Sequence, residues 1–193
     1  MTETETHEPV SAPLSVWLVG LSGAGKSEVG PVLARRMGYR FVDLDDEIER
    51  LAGEGINSVF ENRGEERFRE LETRAAEQMS NVRRTIVATG GGWMARSDIE
   101  RSAPGRVRVW LRVRPETAID RLGKSGVDNR PMLATEPEGP KVALRGLLRT
   151  REPSYAEAEV HVETDGCSPE AVAASILRAL AARLEARQSQ DNG

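Results

Sequence analysis

The sequence has one cysteine, Cys167, among 193 residues. A disulfide within the chain is therefore excluded, and so is a cysteine metal cluster. Histidine is almost as scarce. His7 stands in a polar N-terminal stretch, which leaves His161 as the other imidazole. Structural zinc or a Ser-His-Asp triad has little to be built from. No apolar run approaches the roughly 18 residues that a membrane span needs. The opening residues, MTETETHEPVSAP, are acidic and lack the apolar core of a secretion signal, so a cytoplasmic location is the expectation. An excess of positive charge is also missing. The net charge of −4 argues against a general nucleic-acid or membrane surface, yet leaves room for a local basic pocket.

What is present suits one folded unit. Hydrophobic residues make up 38% and charged residues 30%, enough for a core and against wholesale disorder. Residues 1–13 and 187–193 read as solvated tails, and 14–186 as a single domain. Short segments rich in β-branched or apolar residues predict strands at Leu14–Gly20, Phe41–Leu44, Thr85–Thr89, Val107–Val113 and Val160–Thr164. Helical patterns occupy Lys26–Met37, Asp46–Leu51, Glu65–Met79, Pro115–Leu122, Val142–Thr150 and Pro169–Arg187. This alternation predicts a three-layer α/β fold, with a parallel sheet of about five strands flanked by helices. Gly38 suits a left-handed helix stop. Pro31 lies inside the first helix, where it removes a hydrogen bond to Ser27, and a local kink is expected. Residues 53–64 read as a short helical excursion. Residues 123–140, rich in Gly, Pro and charge, read as a lid loop.

The strongest chemical signal is Gly20-Leu21-Ser22-Gly23-Ala24-Gly25-Lys26-Ser27, which fits the phosphate-loop pattern between a strand and a helix. Its glycines let backbone amides turn inward, and the helix N-terminus adds positive partial charge. Gly23, Ala24, Gly25, Lys26, Ser27 and Glu28 are the nucleotide-site candidates. Lys26 can reach the outer phosphates and the Ser27 hydroxyl can ligate Mg²⁺. The GTPase string N-K-x-D is absent, and Ile86–Thr89 lacks the terminal aspartate of an ordinary Walker B strand. Small-molecule kinases are thereby favoured.

Other residues group around this loop in sequence order. Asp43 and Asp45 end the second strand, on one side of it by strand alternation. Helix capping is the alternative, weightier for Asp46 than for Asp43. Gly64-Glu65-Glu66-Arg67-Phe68-Arg69-Glu70-Leu71-Glu72 follows, then Thr89-Gly90-Gly91-Gly92, Asn129-Arg130-Pro131-Met132-Leu133 and Arg151-Glu152-Pro153-Ser154-Tyr155. Arginine offers a planar fork that matches a carboxylate. Phe60 and Phe68 can form an apolar wall or simply fill the core. Arg69 can instead pair with Glu65 or Glu72 along its helix, and Arg151 can serve as a helix C-terminal cation.

Phosphate loop, D-x-D, G-E-x-x-F-R-x-x-E, G-G-G, R-P-[LM]-L and R-x-P-x-Y, in this order, resemble the shikimate kinase family from about Val16 to the last helix. The resemblance implies a nucleoside-monophosphate-kinase-like fold with a substrate-binding region at 53–80 and a mobile lid. It implies ATP as co-substrate, Mg²⁺, and phosphorylation of the shikimate 3-hydroxyl on the route to chorismate and the aromatic amino acids. It gives Asp43 to Mg²⁺ beside Ser27, Asp45 to the substrate hydroxyls, and Arg69 and Arg151 to the substrate carboxylate. Gly91 offers a backbone contact, Glu72 orients the arginines, and Arg130 swings from the lid to the transferring group. Lys26, Asp45 and Arg130 are thus the expected catalytic residues. Arg121 is assigned to adenine or to the helix surface. The chain departs from the pattern at Pro31, at the bulky Trp93 and Met94 after Gly92, and at Met132. Gluconate kinase, nucleoside monophosphate kinases and an inactive nucleotide-binding module are the rivals. A monomer is expected, with shikimate and ATP as ligands and neither nucleic acid nor membrane as partner.

Overall fold

The computed structural model describes residues 15–95, 105–128, 130–134 and 136–191. The expected tail at 1–13 and Asn129 of the lid lie outside these residues. Five strands form one parallel sheet: β1 (Ser15–Val19), β2 (Arg40–Asp43), β3 (Thr85–Ala88), β4 (Arg106–Arg112) and β5 (Val160–Glu163), in the order β2-β3-β1-β4-β5. β1 and β3 are buried along their whole length, as a sheet covered on both faces requires. That is why these segments read as unbroken apolar runs rather than alternating ones.

The helices are α1 (Lys26–Met37), α2 (Leu44–Ala52), α3 (Ile56–Gln78), α4 (Pro115–Asp128), α5 (Pro131–Ala134), α6 (Pro140–Tyr155) and α7 (Pro169–Asp191). A 3₁₀ turn spans Trp93–Ala95. α1 packs on α7, and α4 on α6. Trp17 of β1 stacks on Trp93 at 4.8 Å, and Trp110 of β4 on Tyr155 of α6 at 5.7 Å. Among the described residues no helix is long and apolar enough to cross a membrane.

Several boundaries differ from the sequence-based expectation, each for a local reason. α3 joins the helical excursion to the Glu65 helix through Gly64, whose φ of 79° and ψ of 172° break the helical path without ending it. α4 likewise passes Gly123 (φ 60°) and runs on to Asp128, so the lid segment holds helical turns, α5 included, rather than plain loop. α6 reaches Tyr155. The expected helix ended at Thr150, but Pro153 stands in the last turn, where one missing amide costs a single bond. Arg151 is therefore inside the helix, not beyond it. α7 continues to Asp191, so 187–191 of the expected tail is helical, with the Ser189 hydroxyl donating back to the Glu185 carbonyl.

The kink expected at Pro31 is not seen as a break: α1 is helical from Lys26 to Met37. The residue before a proline is normally driven from the helical region by a clash between the proline Cδ and its own Cβ. Here that residue is Gly30, which has no Cβ. A Cβ on Gly30 would also meet the Phe41 ring at 2.1 Å, so β2 lies directly against this point of α1. Alanine is ordinarily the better helix former by about 1 kcal/mol. Gly30→Ala is nevertheless expected to lower stability by about 1–3 kcal/mol in urea unfolding, through overpacking. An alanine variant as stable as the parent would show that Phe41 yields freely.

Candidate active site

The carboxyl ends of β1, β2 and β3 converge on one crevice, the place where an open parallel sheet can receive ligands. The loop after β1 turns through Gly20 and Gly23 at φ of 134° and 79°, in the region that favours glycine. A Cβ on Gly23 would sit 2.5 Å from the Ala118 carbonyl, so the loop is pressed against α4. Gly25 caps α1 in a left-handed conformation and offers no side chain to the first-turn amides. Those amides are left to an anion. The Lys26 ammonium folds inward and donates to the carbonyls of Gly20 and Leu21, both at 2.9 Å. Burial pulls its pKa down to about 8, against the opposing pull of Asp45 and Asp43, while Arg130 and Arg151 push it lower.

Asp43 does two jobs at once. Its Oδ1 accepts from the Asp45 amide at 3.1 Å and caps α2, and its Oδ2 accepts from the Ser27 hydroxyl at 2.6 Å. Capping thus falls to Asp43, not Asp46. Strand alternation does not bring Asp43 and Asp45 together, because Asp45 already lies in the first turn of α2. A hydroxyl and a carboxylate side by side are hard oxygen donors suited to Mg²⁺. Among the described residues no group of three His, Cys, Asp or Glu side chains could cage a metal alone. This fits a cation that keeps waters and takes its other ligands from phosphates. Burial, then the neighbouring Asp43 charge, raises the Asp45 carboxyl to about 6, with Lys26 and Arg130 opposing.

Two cavities open here. The first, about 380 Å³, is lined by the phosphate loop, Lys26, Ser27, Glu28, Asp43 and Arg121. The second, about 480 Å³, is lined by Phe60, Phe68, Arg69, Glu72, Leu133 and Arg151, among others. Ser22, Asp45, Gly91 and Arg130 line both. In the second cavity the two arginines converge: a Cβ on Gly92 would have Arg69 Nη1 and Arg151 Nη2 each at 3.5 Å. Arg69 also pairs with Glu65 and with the buried Glu72, both at 3.0 Å. Pairing along the helix and facing the cavity are therefore compatible for Arg69. Its guanidinium lies 5.2 Å over the Phe68 ring, and Phe68 stacks on Phe60 at 4.5 Å. The aromatic pair is packing and cavity wall together.

Arg130 donates from Nη1 to the Gly126 carbonyl at 2.6 Å, within its own turn. Arg121 reaches Gly23 O, Ala24 O and the Thr164 hydroxyl at 3.4, 3.5 and 3.1 Å, tying the phosphate loop to the end of β5. The crevice thus brings together Gly23, Ala24, Gly25, Lys26, Ser27, Glu28, Asp43, Asp45, Arg69, Gly91, Arg121, Arg130 and Arg151. Sequence reasoning missed Ser22, Thr89 and Leu133. Ser22 and Thr89 stand inside motifs already quoted and could have been found there. Leu133, 2% exposed, closes the quoted R-P-[LM]-L motif and reaches the cavity from α5.

Residues 22–181 match the family model described as "Shikimate kinase". A shikimate kinase of Moorella thermoacetica is 41% identical over 175 residues, covering 90% of this chain and 98% of that one. A shikimate kinase of Gloeobacter violaceus is 43% identical over 172 residues, covering 89% and 94%. The structure of Acinetobacter baumannii shikimate kinase in complex with shikimate superposes with a TM-score of 0.80 at 32% identity, covering 91% and 98%. A Sinorhizobium meliloti gluconokinase, at TM-score 0.58 and 20% identity, shares the fold alone. With the phosphate loop, the acidic pair and the arginine-lined cavity in one crevice, the chain belongs to the shikimate kinase family.

Proposed function

We propose that this kinase transfers the γ-phosphoryl group of ATP to the 3-hydroxyl of shikimate, giving shikimate 3-phosphate and ADP with Mg²⁺. One observation carries this reading: a phosphate cavity and an arginine-lined cavity meet at Asp45, Gly91, Ser22 and Arg130. A donor phosphate in one and an acceptor hydroxyl in the other face each other across those residues. The phosphate-loop amides and Lys26 hold the outer phosphates. Ser27 and Asp43 hold the metal, which when bound neutralises phosphate charge. Arg69 and Arg151 grip the acceptor carboxylate with two planar forks, and Gly91 adds a backbone contact. Asp45, when ionised, accepts from the ring hydroxyls and so orients the nucleophile. Arg130 supplies positive charge where the transferring group passes, which positioning-dominated phosphoryl transfer calls for. Arg121 borders the cavity on the side of Thr164 and Pro169, where a base can lie.

A coupled ADP-release assay tests the substrate. Shikimate is expected to be consumed far faster than gluconate or AMP, and turnover of gluconate with shikimate ignored overturns the proposal. Arg130→Ala is expected to lower kcat by about a hundredfold, with shikimate affinity much less affected, since the charge matters most in the transition state. A near-normal kcat would make Arg130 a surface cation.

Asp45 sets a pH limb. A carboxylate raised to about 6 is protonated as pH falls through that value, and its neutral form is a poorer acceptor. Shikimate affinity measured by calorimetry without nucleotide should therefore fall as pH drops below about 6 and level off above it. Asp45→Asn should bind weakly and lack this limb. The same limb in the asparagine variant would assign it to another group.

A further inference from the structure

Tyr155 ends the R-x-P-x-Y motif and takes no part in the mechanism above. It is fully buried, stacked on Trp110 of β4, and lines neither cavity. Its hydroxyl donates to the Gly91 carbonyl, 64 residues earlier in the chain. The same oxygen is hydrogen-bonded to Arg151. A phenol has one proton to give, and a guanidinium can only donate. The direction of both bonds is therefore fixed: Arg151 N–H to Tyr155 Oη, and Tyr155 O–H to Gly91 O. Such a chain polarises along its length, the cation strengthening the bond to the carbonyl.

Both ends of the chain are parts of the acceptor cavity. A Cβ on Gly91 would lie 3.4 Å from Arg151 Nη1, so the arginine rests on the glycine turn. Arg151 is a long side chain whose rotamer freedom would otherwise be lost only on binding. The turn is all glycine, the least self-determined backbone available. Two groups with little order of their own are thus held to a rigid aromatic anchored in the core. Burial pushes the Tyr155 phenol up to about 12, with Arg151 opposing, so the hydroxyl keeps its proton across the working pH range.

We propose that Tyr155 is a positioning residue for the acceptor carboxylate, its hydroxyl fixing Arg151 and the Gly91 peptide relative to each other before the acceptor arrives. This rests on Arg151 being a carboxylate ligand. Ordering the clamp in advance removes an entropy cost from acceptor binding and leaves the nucleotide side untouched.

Tyr155→Phe removes one oxygen and keeps the ring stack. KM for shikimate should rise about tenfold or more, the scale of one lost hydrogen bond. KM for ATP should stay within about twofold, a split that general loosening of the fold would not produce. With the uncharged carboxamide of shikimate, parent and variant should be alike, because no carboxylate is gripped. A second measurement uses the parent side chains. The chain has two tyrosines, Tyr39 and Tyr155. Labelled with 3-fluorotyrosine, the protein should show a fluorine resonance of Tyr155 that shifts on adding shikimate, while that of Tyr39, before β2 at the far end of the sheet, does not. Arg151→Ala separates the two ideas. If Arg151→Ala leaves KM for shikimate unchanged, the clamp itself is wrong. If Arg151→Ala raises that KM but Tyr155→Phe does not, or the Tyr155 resonance ignores shikimate, the positioning role is overturned and the clamp stands.

Discussion

A cation buried inside a loop of backbone carbonyls is the constraint on which this crevice depends. Lys26 is 9% exposed and is held by two loop oxygens and by the field of Asp45 and Asp43, while Arg130 and Arg151 repel it. Its burial works against its own charge, and that of Asp45 works against its charge in turn. Neither ion would be tolerable without the other nearby. The phosphate loop, the start of α2 and the arginines are thus one electrostatic assembly rather than three adjoining motifs. The proposed phosphate site thus lies where this buried cation and the loop amides face the first cavity.

The covalent fold serves this assembly by placing strand ends. β1 is central, with β3 on one side and β4 on the other, so the loop after it has support on both flanks. Gly23 touches α4 through Ala118, and Arg121 of the same helix reaches the loop carbonyls and Thr164 beyond β5. β3 delivers the glycine turn between the two cavities. The first cavity is therefore braced by α4 and the end of β5, and the second by α3, α5 and α6.

Much of this was legible in the chain. β1 and β3 read as apolar runs because the middle of a doubly covered sheet needs no polar alternation, while the edge strand β5 alternates buried valine with exposed His161 and Glu163 and was marked by its β-branched residues. The phosphate loop was readable because its glycines, lysine and serine each answer a fixed geometric demand. What escaped notice depended on longer range. Gly64 and Gly123 look like helix ends in sequence, yet the chain resumes its helical path after each because the following residues have somewhere to pack. Pro153 marks the last turn of α6 rather than its end, which moved Arg151 from flank to helix. Asp43 looked like a strand-end ligand, and only the position of the Asp45 amide reveals it as the cap. Leu133 and Tyr155 each end a quoted motif, yet what they touch lies in other elements, and spacing along the chain does not show it.

The contact between Gly30 and Phe41 has a consequence for how this chain can change over generations. Pro31 is compatible with a continuous α1 because its predecessor lacks a Cβ, and Phe41 fills the space that such a Cβ would take. Three positions on two elements are thereby coupled, the cost of a side chain at one depending on what stands at the other two. A side chain at position 30 strains the fold less when residue 41 is smaller and position 31 is not proline. Relief of the contact therefore begins in β2, with a smaller side chain at position 41.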